Sequence, residues 1–124
     1  MAHERGSVNS AREAVVELRL EGAATIECIV DTGFNGTLVL PRKLADQLQL
    51  SIIGRASFET VGGALMAADL AEVRVMWLSS RLVVEAIVVN SEDALIGTAL
   101  LDGTNLTIDY IADTVTISSR EALV

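Results

Sequence analysis

Over most of this chain apolar and polar residues alternate with a period of two, the spacing of strands that bury one face. In 14–20, Val16, Leu18 and Leu20 oppose Glu17 and Arg19. Glu21-Gly22-Ala23 turns the chain, and 24–30 returns with Cys28 and Val30 on one face and Glu27 on the other. A short strand is predicted over 37–40. Pro41 then opens a helix, with Leu44, Ala45 and Leu48 at helical spacing. Residues 52–61 are extended up to Gly62-Gly63, a strong hairpin signal. The run 64–77 leads back, with Ala71, Val73, Val75 and Trp77 on one side and Glu72, Arg74 and Met76 on the other. Ser79-Ser80 turns into a Val/Ile-rich strand over 82–90. Leu95-Ile96-Gly97 is another short strand, and Thr98 to Asp102 can form one helical turn. A last hairpin pairs 106–110 with 114–118 around Ala112-Asp113. These runs predict a mainly β, closed barrel-like domain with one short helix. Residues 1–12 read as a flexible polar arm, and 13–124 as a single domain.

Composition narrows this picture. Of 124 residues, 51% are hydrophobic but only 3% aromatic, so the core must be aliphatic. A net charge of −8 opposes binding to nucleic acid or an anionic membrane, since both require a basic surface. No apolar run approaches the roughly 18 residues of a membrane span. The first residues contain no hydrophobic segment of signal-peptide type, so the expected location is the cytoplasm. Cys28 is the lone cysteine and His3 the lone histidine, and His3 lies in the polar arm. Cys28 therefore reads as a small buried hydrophobe and not as a nucleophile. The acidic residues are dispersed and no His/Cys pair exists, so neither a metal nor another cofactor is expected.

One carboxylate stands apart. The apolar run Ile29-Val30 stops at Asp31-Thr32-Gly33, and a second apolar run stops at Gly97, with Leu100-Leu101 just behind it. A charge at the end of a buried strand is costly unless something uses it. Asp-X-Gly is also a common turn in which the carboxylate merely caps a backbone N–H. Together, Asp31-Thr32-Gly33, Thr37, Leu95-Ile96-Gly97 and Leu100-Leu101 resemble the retropepsin-like aspartic proteases across most of the chain.

That resemblance implies a homodimeric aspartic endopeptidase, with half a site per chain and peptide or protein as substrate. The family cleaves with two carboxylates sharing one proton and one water. This chain has a single Asp-Thr-Gly, so the second Asp31 must come from a second copy around a two-fold axis. By the same resemblance, Thr32 ties the two active-site loops together and Gly33 presents backbone to the substrate. Phe34 and Asn35 adjoin the substrate, and Gly62-Gly63 falls where the family places its flap. Gly62-Gly63 is also compatible with a plain hairpin tip. Retroviral members usually carry a small residue and then Asp where Phe34 and Asn35 stand, and Arg where Thr98 stands. Their terminal interface strand is followed here by further chain. Asp-Thr-Gly-Phe-X-Gly followed by Leu-Pro looks more like the prokaryotic members of the clan. The alternative is a dimer of the same fold that binds peptide or protein without cleaving it.

Overall fold

The computed structural model describes residues 2–22, 24–59 and 62–120. Ala23 of the predicted turn and Val61 at the end of the predicted strand lie outside the described residues. The strands are β1 (His3–Val8), β2 (Ala14–Leu20), β3 (Thr25–Val30), β4 (Leu38–Pro41) and β5 (Ile52–Glu59). They continue with β6 (Leu65–Trp77), β7 (Ser80–Val89), β8 (Ala94–Ile96), β9 (Thr104–Asp109) and β10 (Thr114–Ser119). Two short helices, α1 (Arg42–Gln47) and α2 (Thr98–Leu101), follow β4 and β8. All ten strands form one sheet in the order β5-β6-β7-β4-β8-β3-β2-β1-β10-β9. An additional pairing of β6 with β2 closes the segment from β6 to β2 into a barrel.

The predicted alternation is what fills this barrel. Val16, Leu18, Leu38, Leu40, Val73, Val75 and Ile96 are essentially sequestered from solvent. Trp77 is buried in the same cluster. Pro41 ends β4 and caps α1 with extended backbone, so the helix begins one residue later than predicted. Cys28 is fully buried, and burial, with Glu27 adding to it, pushes its thiol up to about 12. A thiol that stays protonated is a packing group.

The N-terminal segment corrects the sequence expectation. Residues 3–8 are not a loose arm but β1, paired antiparallel with β10 from His3↔Ser118 to Ser7↔Thr114. Ala2 and Ser119 tie the end of this ladder, the Ser119 amide donating to the Ala2 carbonyl at 3.0 Å. Gly6 is what lets β1 also lie on β2, because a Cβ there would run into the Val15 carbonyl. Backbone pairing on both sides holds this strand, and its own side chains contribute little.

Glu4 is the exception among those side chains. It is only 8% exposed, its Oε1 lies 3.7 Å from Arg19, and its Oε2 has no hydrogen-bond partner among the described residues. Burial raises the proton affinity of this carboxyl above its ordinary value, and Arg19 opposes the shift. A carboxyl that binds its proton more tightly folded than unfolded stabilises fully below its unfolded value. That contribution is lost as pH climbs through the folded value. Glu4→Met keeps the length and removes the buried charge. At pH 7 we expect the variant to exceed the parent by about 1 kcal/mol in urea unfolding. At pH 4 the gap should narrow, and an unchanged gap would exclude Glu4 as its source.

Candidate active site

Asp31 sits where two neighbouring strands leave the sheet together. β3 runs parallel to β8, with Val30 opposite Ile96, and the Asp31 amide donates to the Ile96 carbonyl at 2.9 Å. The chain then turns back on itself, the Phe34 amide donating to the Asp31 carbonyl at 3.2 Å. One Asp31 carboxylate oxygen accepts from the Gly33 amide at 2.9 Å, which fixes the side-chain direction. Residues 33–37 then lie across the start of α2. The Gly97 amide donates to the Thr37 carbonyl (3.0 Å), Thr98 to Phe34 (2.8 Å) and Ala99 to Gly36 (3.1 Å). So tight a crossing leaves no room for a side chain at Gly97, where a Cβ would meet the Gly36 carbonyl and the Phe34 ring. Leu95-Ile96-Gly97 therefore acts as the bed on which the Asp31 loop rests.

The loop opens onto a cleft of about 810 Å³. The groove beside Gln49 and Glu72, at about 370 Å³, is less than half that size. Asp31, Gly33, Phe34 and Asn35 line the cleft from the loop side. Val39, Ile87, Val89 and Leu95 form an apolar wall. Phe58 and Glu59 border it from the β5–β6 hairpin, and Glu92 and Asp93 from the turn between β7 and β8. Thr32 is exposed and lies outside the cleft of a single chain. Gly62 and Gly63 are exposed beyond Glu59 and likewise do not line it; Gly63 has a φ of +79°, as a tight hairpin end requires. Of the seven site residues expected from sequence, four thus line the cleft within one chain.

The hairpin is anchored near its base, and most of the described residues farther out are exposed. Arg42 of α1 holds Asp69 of β6 at 2.7 Å, and Arg55 of β5 approaches the same carboxylate at 3.9 Å. Nearer the end, Phe58 pairs with Met66 and Glu59 with Leu65, and Leu65 and Met66 are largely exposed. Among the described residues no group of His, Cys, Asp and Glu is arranged to hold a metal ion. No helix there is long and apolar enough to cross a membrane.

A family model described as aspartyl protease matches residues 16–105, most of the chain and both glycine-ended strands. The chain belongs to the aspartyl protease family. Its fold is that of the retropepsin-like members. A retropepsin-like aspartic protease from Rickettsia conorii superposes with a TM-score of 0.69 at 18% identity, over 97% of this chain and 93% of that one. The protease of simian foamy virus (mac) superposes with a TM-score of 0.52 at 13% identity, over 70% and 90%. No curated protein matches the sequence. This aspartyl protease is thus an endopeptidase by family, on a mainly β barrel with two short helices.

Sequence reasoning missed the cleft residues outside the aspartyl protease motif. Val39, Ile87, Val89, Glu92 and Asp93 have no signature of their own. One signal was present: Leu82 to Val89 is apolar on both faces except at Glu85, although one face already suffices for the core. Ala86 and Val88 fill that core, whereas Ile87 and Val89 are half-buried and face the cleft.

Proposed function

We propose that this aspartyl protease hydrolyses peptide bonds as a symmetric homodimer, with the two Asp31 carboxylates facing each other across the two-fold axis. The observation that carries this reading is the single Asp31 loop on an open cleft, which is half of the two-carboxylate machinery. One Asp31 keeps the shared proton and donates it to the scissile carbonyl oxygen. The other takes a proton from the water that attacks the carbonyl carbon. Collapse of the tetrahedral adduct breaks the C–N bond, and a proton passes to the leaving nitrogen. Two like charges at that distance do not ionise together, which keeps the proton in place.

The remaining site residues serve this step. Thr32, exposed beside Asp31, joins the two loops through its hydroxyl. Gly33 offers backbone without a side chain in the way, and Phe34 and Asn35 contact the substrate. Gly62 and Gly63 close over it at the end of a hairpin whose base is pinned by Arg42 and Arg55. Sedimentation across concentration, combined with peptide-library cleavage at pH 4 to 7, tests the reading. Specific activity per chain should rise in step with the dimer fraction. Full activity in a dilute monomer would overturn the shared site, and a dimer that binds library peptides but never cleaves them would leave only a binding module.

A further inference from the structure

The cleft around Asp31 has two chemistries in its walls. Val39, Ile87, Val89 and Leu95, with the rings of Phe34 and Phe58, make an apolar seat. Its charged lining consists of Asp31, Glu59, Glu92 and Asp93, all carboxylates, with no Lys, Arg or His. Glu59 comes from the hairpin and Glu92-Asp93 from the β7–β8 turn, so the acids are contributed by separate elements. None of these three forms an ion pair among the described residues. Of the cations close to the cleft, Arg42 and Arg55 hold Asp69, and Lys43 lines a neighbouring groove with Glu92 without forming an ion pair with it. The β7–β8 turn is also built rather than trailing. The Ser91 amide donates to the Val89 carbonyl (3.0 Å), and the Ser91 hydroxyl to the Asp93 carbonyl (3.2 Å).

Uncompensated like charges in one cleft repel each other and attract a cationic partner. An apolar seat bordered by such charges suits a peptide that supplies an apolar side chain and a cation next to it. Resting on the protease reading above, we propose that this cleft selects peptides carrying Lys or Arg close to the apolar residue at the scissile bond. Glu59, Glu92 and Asp93 are the residues that read the positive charge. The cleft is the site, and the carboxylates set its preference. Because Glu59, Glu92 and Asp93 are exposed, each contact is modest and screened by salt, and selectivity comes from their sum.

The test uses the Asp31→Asn form of this 124-residue chain, which keeps the cleft and cannot consume its ligand. Fluorescein-labelled peptides share one apolar core and differ only in flanking Lys, Gln or Glu, and anisotropy measures their binding. At about 0.05 M salt the Lys-flanked peptide should bind about tenfold tighter than the Glu-flanked one. At about 0.5 M salt the ratio should shrink to about threefold or less. In a protein also carrying Glu59→Gln, Glu92→Gln and Asp93→Asn, the ratio should fall to about one. Equal binding of Lys- and Glu-flanked peptides, or no binding of either, overturns the proposal. So does a preference that survives the three neutralisations. The salt series needs none of those substitutions, so it decides the matter even if the multiple variant misfolds. Charge-selective binding, with no cleavage of the same peptide by the Asp31 protein, supports the recognition and overturns the catalytic reading alone.

Discussion

Asp31→Asn should lower peptide cleavage by at least about a thousandfold and leave a folded dimer behind. Asn has nearly the shape of Asp and keeps the side-chain oxygen that accepts the Gly33 amide at 2.9 Å, so the loop retains its geometry. It can neither take a proton from water nor hold the shared one. In the proposed dimer the substitution also removes the repulsion between the two facing carboxylates, so the variant should be as stable as the parent near neutral pH or slightly more so. Cleavage assays on both proteins, thermal melts and sedimentation check each part. Undiminished cleavage by the Asn variant would remove Asp31 from the chemistry. Loss of the dimer would show that the carboxylate also serves assembly.

The sequence was most readable where one face of a strand does one job. Ala71, Val73, Val75 and Trp77 bury one face of β6 against exposed Glu72 and Arg74, so period-two alternation located that strand. The Asp31 turn and Gly97 were readable for a related reason. Both are places where an apolar run must stop, one for a carboxylate and the other for a backbone crossing that admits no Cβ. β1 was unreadable because its information is not in its own side chains. His3, Arg5 and Ser7 face outward and Glu4 inward, and what fixes the strand is the β10 backbone and the missing side chain of Gly6. The cleft wall was hidden by the opposite problem. With Ile87 and Val89 apolar on the face away from the core, β7 looks like a strand buried on both sides. Only the three-dimensional arrangement shows that its second face meets Phe58 and Phe34 across an open space.

Gly97→Ala should be among the most damaging single-methyl additions in the chain. The backbone at Gly97 is extended, with φ −104°, so conformational strain is not the reason. The reason is space: the added Cβ would run into the Gly36 carbonyl and the Phe34 ring and carbonyl. A ring can swing aside, but a carbonyl oxygen moves only with its chain. The chain in question carries the hydrogen bonds from Gly97, Thr98 and Ala99 that seat the Asp31 loop. Overpacking of this kind costs about 2 kcal/mol or more. In a domain of this size that corresponds to a fall of about 8 °C in Tm. Activity should fall further than stability, because the displaced loop holds Asp31 and a shift of about 1 Å in a reacting group can cost a hundredfold in rate. Gly54→Ala is the matched control, since a Cβ there meets nothing within 4 Å and lies on an open strand. It should leave both Tm and cleavage close to the parent's. Adding Phe34→Ala to Gly97→Ala should not restore the fold, because the Gly36 carbonyl remains in the way. Full recovery in that double variant would mean that the ring, and not the backbone crossing, is what demands glycine at 97.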